Sequence, residues 1–259
     1  MKKAVVIAIV LLVSLGLSSF IVFYGANGHR AVGEIASQHL TRKASRAVDE
    51  LLEGQSLARV STFADEIKSD DRYNKFYSWH YVNFETGESY DASKANPKGD
   101  LVFGIEKCIS VLKDKTASDS DKQFYLKMLV HFVGDLHQPL HVGHGSDRGG
   151  NDIKVKWFYK NTNLHVVWDS KMIQDYGMSY SELSSNVNRL SQEQIDSIQS
   201  GNLLDWVYQS QELAEKVYAS CEPGDNLSYE YMYVYFPILR EQLQSGGLRL
   251  AKLLNEIYK

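Results

Sequence analysis

Residues 131–141 read His-Phe-Val-Gly-Asp-Leu-His-Gln-Pro-Leu-His. Apolar residues recur at helical spacing from residue 122 to 136, and Pro139 cannot continue that helix. Three histidines and Asp135 therefore lie in and just after an otherwise apolar helix. Such groups are costly to bury unless they are paired or bound to a cation. The stretch predicts a helical fold with a metal site at the end of a buried helix.

Two histidines in the chain are followed by an aspartate four residues later, in the pairs His131/Asp135 and His165/Asp169. On a helix, this spacing puts both side chains on one face, one turn apart, as two ligands of one metal require. Imidazole and carboxylate groups without nearby cysteine favour zinc over manganese or iron. A buried His–Asp network without metal is the alternative interpretation.

Helical spacing also dominates the rest of the chain. It covers residues 31–57, 101–112 and 231–258, and the last of these is expected to break at Gly246-Gly247. Residues 143–151 are Gly-rich and polar, which predicts a loop, and residues 153–157 alternate as a strand does. The sequence predicts an all-α fold, a single multi-helix domain over residues 24–259 with one small β-hairpin.

The N-terminal segment predicts export. Met1-Lys2-Lys3 precedes an uncharged stretch from Ala4 to Tyr24, which is typical of a secretory signal peptide or an uncleaved signal anchor. We therefore expect residues 1–23 to be a targeting segment of a periplasmic or secreted protein. Contact with a membrane is expected only if this segment is retained.

The bulk properties of the chain exclude an overall basic field. The formal net charge is −4 over 259 residues, so a nucleic-acid partner would have to be held by local chemistry. Cys108 and Cys221 are compatible either with a disulfide outside the cytoplasm or with two buried thiols.

The order of several motifs resembles the zinc-dependent single-strand-specific nucleases of fungi, plants and bacteria, whose helical fold is shared with the bacterial zinc phospholipases C. The resemblance spans Tyr24 to Lys259. Its motifs are Tyr24-Gly-Ala-Asn-Gly-His29, Thr62-Phe-Ala-Asp-Glu-Ile-Lys68, Trp79-His-Tyr-Val-Asn83, residues 131–141, Asp147-Arg-Gly-Gly-Asn-Asp152, Asn163-Leu-His-Val-Val-Trp-Asp169 and Gly246-Gly-Leu-Arg-Leu-Ala-Lys-Leu-Leu-Asn255.

This resemblance implies three zinc ions. The first ion would be held by Asp65, His80, His131 and Asp135. The second would be held by His141, His165 and Asp169. The third would be held by His29, Asp135 and the amino and carbonyl groups of Tyr24, so Asp135 would bridge two ions. His137 and His144 match no ligand position.

The resemblance also implies the reaction, which is metal-assisted hydrolysis of single-stranded DNA and RNA to 5′-phosphate products, with 3′-nucleotidase activity. Asp65, Lys68 and Asp135 are expected to be catalytic. Lys68, Tyr81 and Asn83 are expected to contact the substrate. The alternatives are a zinc phospholipase C acting on lipid headgroups and an exported zinc-binding protein without activity.

The chain departs from the family pattern in two places. The family usually starts its mature chain with Trp where this chain has Tyr24, and Phe23 and Ile21 do not fit the small residues that signal peptidase prefers. Cleavage near Ser19 would leave extra residues before Tyr24. Asn83 stands where the fungal members carry an Asp that contacts the base.

Overall fold

Helices make up most of the computed structural model, which describes residues 25–85 and 87–259. The α-helices are, in chain order, α1 (Ala26–Gln38), α2 (Arg42–Leu51), α3 (Leu57–Val60), α4 (Phe63–Glu66), α5 (Leu101–Lys113), α6 (Asp119–Leu136), α7 (Leu164–Val166), α8 (Met172–Tyr176), α9 (Tyr180–Ser185), α10 (Gln192–Gln199), α11 (Leu203–Tyr218) and α12 (Tyr229–Ile257). Further 3-10 helices cover Ile67–Ser69, Asp71–His80, Ala92–Lys94 and Pro139–Val142, and a π-helical turn covers Val167–Lys171.

The predicted targeting segment, residues 1–23, and the predicted ligand Tyr24 lie outside the described residues. Among the residues that are described, no helix has both the length and the apolar character needed to cross a bilayer.

The predicted all-α fold with a small hairpin is confirmed. Strand β1 (Lys154–Trp157) pairs antiparallel with β2 (Lys160–Asn163), with Val155 opposite Thr162. A third strand, β3 (Asn226–Leu227), pairs parallel with β1 on its other side. With only two residues, β3 is too short to produce an alternating pattern in the sequence.

The single helical segment predicted over residues 31–57 is wrong, because the chain forms α1, α2 and α3 there instead. The side chain of Thr41 accepts a hydrogen bond from the amide of Ala44 and caps the start of α2. Ser56 caps α3 in the same way through the amide of Arg59. Such caps satisfy the free amides of a helix start, so they favour new helices over one continuous helix.

The break predicted at Gly246-Gly247 is also wrong, because α12 runs through both residues. A Cβ added at Gly247 would lie 2.5 Å from the Cβ of Ile35 on α1. The glycine therefore lets α12 pack directly on α1, which is its main neighbour. A glycine in a helical pattern is ambiguous between a helix end and such a close approach.

Helix α6 forms the centre of the fold. Ser118 caps it, and its second half, from Met128 to Leu136, is buried. Helices α1, α3, α5 and α12 pack against it. Because this half of α6 is surrounded, His131 and Asp135 are held inside the protein, and inside the protein such groups have to be paired or bound to a cation.

Cys108 and Cys221 are both free thiols. Cys108 is buried on α5 and Cys221 is partly exposed after α11. The structure therefore takes the second of the two possibilities left open by the sequence, with one of the thiols less buried than expected.

Candidate metal centre

Six separate segments bring the predicted side-chain ligands together. His29 lies on α1, Asp65 on α4, His80 at the end of the 3-10 helix Asp71–His80, His131 and Asp135 on α6, His141 on the 3-10 helix Pro139–Val142, and His165 and Asp169 on α7 and the π-helical turn. All but Asp65 and His165 are buried, and these two are partly exposed. The centre is thus an internal cluster of imidazoles and carboxylates that opens to solvent on the side of Asp65 and His165.

The side chains fall into three groups in which one ligand atom from each residue lies within 4.8 Å of the others. The groups are Asp65/His80/His131, His141/His165/Asp169 and His29/His131/Asp135. Each group contains side chains of one predicted ligand set, but Asp135 is absent from the first group and His131 also joins the third. The assignment of an ion to each group stays a prediction.

Asp135 contacts the first and third groups with different oxygen atoms, and its Oδ1 also lies 3.4 Å from Nδ1 of His141 in the second group. Its Oδ1 lies 3.4 Å from Nε2 of His29. Its Oδ2 lies 2.9 Å from Nδ1 of His80 and 3.2 Å from Nε2 of His131. A carboxylate in this position offers one oxygen to each of two neighbouring cations, as the predicted bridging role requires.

Backbone carbonyls orient three of the histidines. Nδ1 of His131 donates to the carbonyl of Ser61 at 2.7 Å, and Nδ1 of His141 donates to the carbonyl of His80 at 2.6 Å. Nδ1 of His165 donates to the carbonyl of Gly149 at 2.7 Å. A carbonyl only accepts, so each Nδ1 carries the proton and each neutral ring keeps its lone pair on Nε2. Outer partners of this kind orient the histidines of metal sites.

The unprotonated Nε2 atoms of His131 and His141 face carboxylate oxygens. Nε2 of His131 lies 3.5 Å from Oδ1 of Asp65, in addition to its contact with Asp135. Nε2 of His141 lies 3.3 Å from Oδ1 of Asp169. A lone pair directed at a carboxylate is repulsive unless a proton or a metal cation lies between them. The arrangement therefore fits a cation, and imidazole with carboxylate and no cysteine fits zinc.

The pKa values of the cluster's side chains differ because each has a different set of carboxylates, histidines and Lys68 nearby. Burial raises the pKa of Asp135, but His131 and His141 outweigh burial and hold it well below its usual value. Burial lowers the pKa of His141, but Asp135 and Asp169 more than offset this and raise it to about 9. Burial and then Lys68 lower the pKa of His80 to about 3. Without metal, the cluster thus mixes neutral and protonated imidazoles.

Burial and neighbouring charges also have opposite effects on the pKa values of His131 and Asp65. Burial lowers the pKa of His131, yet Asp135 and Asp65 reverse the effect and raise it. Burial raises the pKa of Asp65, and His131 followed by Lys68 reverses that effect and lowers it. For His29 and His165, burial is the largest cause and lowers the pKa.

Gly134 was not predicted as a site residue, and it makes room for His29. The rings of His29 and His131 stack with centroids 3.8 Å apart. A Cβ added at Gly134 would lie 2.5 Å from Nδ1 of His29. Its position directly before Asp135 in the sequence was the only signal, and its reason is visible only in three dimensions.

Gln138 is a second residue that the sequence did not single out. Its Nε2 donates to Oδ1 of Asp169 at 3.3 Å, and its Oε1 accepts from the amide of Leu140 at 2.8 Å. The buried amide thus orients Asp169 and caps the 3-10 helix that carries His141. Its place between two histidines in the central motif was a signal that could have identified it.

The spacing of His165 and Asp169 predicted that both lie on one regular α-helix, but they do not. His165 belongs to α7, and Asp169 lies in the π-helical turn Val167–Lys171. Their group nevertheless converges with His141. π-Helical turns are often found at functional sites, and no periodicity in the sequence distinguishes one from an α-helix.

Lys68 lies at the edge of the cluster. Its Nζ donates to Oδ1 of Asp65 at 2.8 Å, with 11% of the lysine side chain exposed. The ring of Tyr77 lies 5.4 Å from the same Nζ. A cation is therefore held next to the first ligand group, where it can meet an anionic ligand that reaches Asp65.

Tyr81 and Asn83 follow His80 directly in the chain. The carbonyl of Tyr81 accepts from the amide of Leu101, and the amide of Val82 donates to the carbonyl of His141. Tyr81 is 36% exposed, and Asn83 borders a cavity of about 200 Å³. Within residues 25–85 and 87–259, Oδ1 of Asn83 is buried and has no hydrogen-bond partner. The ring of Tyr81 is thus accessible beside the cluster, whereas Oδ1 of Asn83 is not exposed, and the predicted substrate contacts of both residues stay predictions.

His137 and His144, which match no ligand position, have other partners. Nδ1 of His137 donates to the carbonyl of Val133 at 2.7 Å, and its Nε2 accepts from Nη1 of Arg249 at 3.0 Å. Burial and then Arg249 lower the pKa of His137 to about 3, so the ring is neutral. Nε2 of His144 lies 2.6 Å from Oε1 of Glu215. Their exclusion from the ligand sets stays a prediction, and these contacts support it.

Gly25, the first described residue, lies beside the candidate metal centre. Its amide donates to the carbonyl of Asp169. Tyr24 precedes it and lies outside the described residues, so its predicted amino and carbonyl ligands stay a prediction.

Comparisons with known proteins agree over almost the whole chain. A profile described as S1/P1 nuclease matches residues 24–259. Endonuclease 2 of Arabidopsis thaliana is 31% identical over 271 aligned positions, which cover 91% of this chain and 90% of the relative. Endonuclease 4 of the same plant is 29% identical, with 91% and 89% covered. Nuclease P1 of Penicillium citrinum is 26% identical, with 91% and 98% covered.

Proposed function

Because this chain belongs to the S1/P1 nuclease family, we propose that it is an exported, zinc-dependent phosphodiesterase that hydrolyses single-stranded DNA and RNA. The resemblance inferred from the motifs is thereby confirmed. The relatives carry the names endonuclease and nuclease, which supports a hydrolase acting on the ester bonds of nucleic acids.

The observation that carries the proposal is the convergence of three ligand groups on the carboxylate of Asp135 and its neighbours. In this proposal, three zinc ions occupy the three groups. Asp65, His80, His131 and Asp135 hold the first ion. His141, His165 and Asp169 hold the second. His29, Asp135 and the amino and carbonyl groups of Tyr24 hold the third.

When bound, zinc would polarise the phosphodiester and lower the pKa of the attacking water. The protein's own residues orient this chemistry. The carbonyls of Ser61, His80 and Gly149 direct Nε2 of His131, His141 and His165 into the cluster. Lys68, held beside Asp65 at 2.8 Å, stabilises negative charge that develops on the phosphate.

Substrate recognition is proposed to use Tyr81 and Asn83. An exposed aromatic ring stacks on any base, which suits an enzyme that acts on single strands of any sequence. Asn83 borders a cavity of about 200 Å³; its Oδ1 is buried and has no hydrogen-bond partner in the described chain, so the amide would have to turn toward the cavity to reach a base edge. In a duplex the bases are already stacked and paired, so we expect this arrangement to favour single strands.

We further propose, following the family resemblance, that the products carry 5′-phosphates and that the enzyme also removes 3′-phosphates from nucleotides. Export rests on the uncharged stretch from Ala4 to Tyr24 after Lys2-Lys3. A retained segment would instead hold the protein at a membrane.

The test is cleavage of heat-denatured DNA by the zinc-loaded protein, with intact duplex DNA and a chelator as comparisons. We expect cleavage of the denatured strand, loss of cleavage with chelator, and recovery when zinc is restored. His165→Ala should lose most activity, whereas His39→Ala, which lies outside the three groups, should keep it.

The rival functions give different results in the same assay. A phospholipase C would hydrolyse phosphatidylcholine and leave denatured DNA intact. A zinc-binding protein without activity would cut neither substrate although it contains zinc. Either result would overturn the proposed nuclease activity.

A further inference from the structure

The loop over residues 143–151 determines how His165 faces the centre. Nδ1 of His165 donates to the carbonyl of Gly149 at 2.7 Å. The amide of His165 also donates to the carbonyl of Gly150, at 3.3 Å. The ring of this predicted ligand is therefore fixed by the loop, and a shift of Gly149 would turn Nε2 of His165 away from Asp169 and His141.

A single hydroxyl group on α11 joins the start of this loop to its middle. The hydroxyl of Tyr218 accepts from the amide of His144 at 3.0 Å and donates to Oδ1 of Asp147 at 3.1 Å. The same Oδ1 accepts from the amide of Gly150 at 2.8 Å. Tyr218 is thus connected to Gly150 through Asp147 by hydrogen bonds of 3.1 and 2.8 Å, and Gly149 and Gly150 hold His165 by hydrogen bonds of 2.7 and 3.3 Å.

His144 strengthens this attachment with its side chain. Its ring stacks on the ring of Tyr218 with centroids 4.3 Å apart and planes 15° apart. Its Nε2 lies 2.6 Å from Oε1 of Glu215, which is one turn before Tyr218 on α11. Helix α11 is itself fixed, because Ser210 donates to the carbonyl of Leu136 at the end of α6 at 2.7 Å.

We propose that Tyr218 is a positioning residue for the zinc ion of the His141/His165/Asp169 group, and that Glu215 supports it through His144. Tyr218 touches no predicted ligand, and it acts through Asp147 and Gly149. This inference uses the metal of the proposed function but not its nuclease activity. Outer partners of metal ligands typically contribute about 10–100-fold to metal affinity. Because Tyr218 is separated from the ligand His165 by the loop, we expect the lower end of this range, a contribution of about tenfold to zinc affinity.

The test is Tyr218→Phe in the full protein, which removes the hydroxyl and keeps the ring that stacks on His144. Zinc is removed with increasing chelator and the ions remaining per chain are counted, without any nucleic acid. One ion per chain should leave at about tenfold lower chelator concentration than in the unchanged protein. Tyr258→Phe is the matched control, because its buried hydroxyl has no hydrogen-bond partner within the described residues.

A double variant separates positioning from general destabilisation. In a His165→Ala background, where the ligand that the loop orients is missing, Tyr218→Phe should add no further loss of zinc. Additional loss there would mean that the hydroxyl acts on the fold as a whole and would overturn the proposal. Unchanged zinc release in Tyr218→Phe alone would overturn it as well.

Glu215→Gln provides a second route if Tyr218→Phe does not fold. It keeps the tyrosine hydroxyl and removes only the charge facing His144. The proposal expects the same ion to be released more easily, by a smaller factor, and an identical release curve would contradict it. Because zinc is the readout, a protein that binds zinc in this way but does not cut nucleic acid would refute the proposed function and leave this inference standing.

Discussion

Nε2 of His29 lies 3.4 Å from Oδ1 of Asp135, while Oδ2 of the same carboxylate faces the other side of the cluster. His29 comes from the first helix and Asp135 from the central one, so α1 and α6 must pack correctly for this contact to exist. The contact makes Asp135 the point at which two predicted zinc sites meet.

The first prediction concerns this bridge. Asp135→Asn should abolish activity and lower the zinc content by more than one ion per chain, because this carboxylate contacts His29 of one ligand group and His80 of another. Metal analysis of the purified variant gives the answer. Asp119→Asn, an exposed position at the start of the same helix, should change neither quantity. Full zinc and normal turnover in Asp135→Asn would disprove the bridging assignment.

The second prediction concerns the space that Gly134 leaves for His29. Gly134→Ala places a methyl carbon only 2.5 Å from Nδ1 of His29, so His29 must move. We expect the loss of about one zinc ion per chain and a fall in activity of about tenfold or more, because His29 is a predicted ligand and changes even to the partners of ligands typically cost about 10–100-fold. The His29→Ala variant should lose the same ion, and adding Gly134→Ala to it should change little. A wild-type zinc content in Gly134→Ala would contradict the prediction.

The third prediction concerns pH. Burial lowers the pKa of His141, but Asp135 and Asp169 raise it overall to about 9 in the metal-free cluster. Zinc binds the neutral imidazole, so below about pH 9 it must displace a proton, and its apparent affinity should increase as the pH rises toward that value. Adding zinc to metal-stripped protein in weak buffer at neutral pH should therefore release protons.

His141→Ala should release fewer protons and bind fewer ions, whereas His39→Ala should match the unchanged protein. Zinc affinity that is independent of pH between about 6 and 9 would contradict the raised pKa of His141 in the metal-free cluster.

The fourth prediction concerns base preference. An amide such as Asn83 both donates and accepts hydrogen bonds, whereas a carboxylate only accepts. We expect a flatter base preference than in a relative with Asp at this position, and Asn83→Asp should shift the preference toward guanine and adenine. Rates on the four homopolymers measure this. Equal rates on all four homopolymers in both proteins would mean that residue 83 does not contact the base.

Much of the fold and site follows from the sequence because the signals are local. The apolar spacing of α5 and α6, the stop at Pro139 and the strand at Val155 are each visible within a few residues. The ligand types were also readable, because buried histidines and aspartates have few alternatives to pairing or metal binding.

What the sequence could not give depends on contacts between distant segments. Gly247 looks like a helix break until Ile35 of α1 is found against it. The cap at Thr41 interrupts a pattern that is helical on both sides. Tyr218 lies 53 residues after His165 and influences it only through the loop at Gly149. Such relationships arise when the chain folds, and no spacing encodes them.

The most direct measurement is X-ray diffraction at the zinc absorption edge, on crystals of a chain that begins at Tyr24 with a free amino group. Three anomalous peaks are expected: one among Asp65, His80 and His131, one among His141, His165 and Asp169, and one beside His29. The first and third peaks should share Asp135. A parallel chain beginning at Ser19 should lack the third peak, because its amino group cannot reach His29 from the same place. Strong peaks elsewhere, or none within the three groups, would contradict the account.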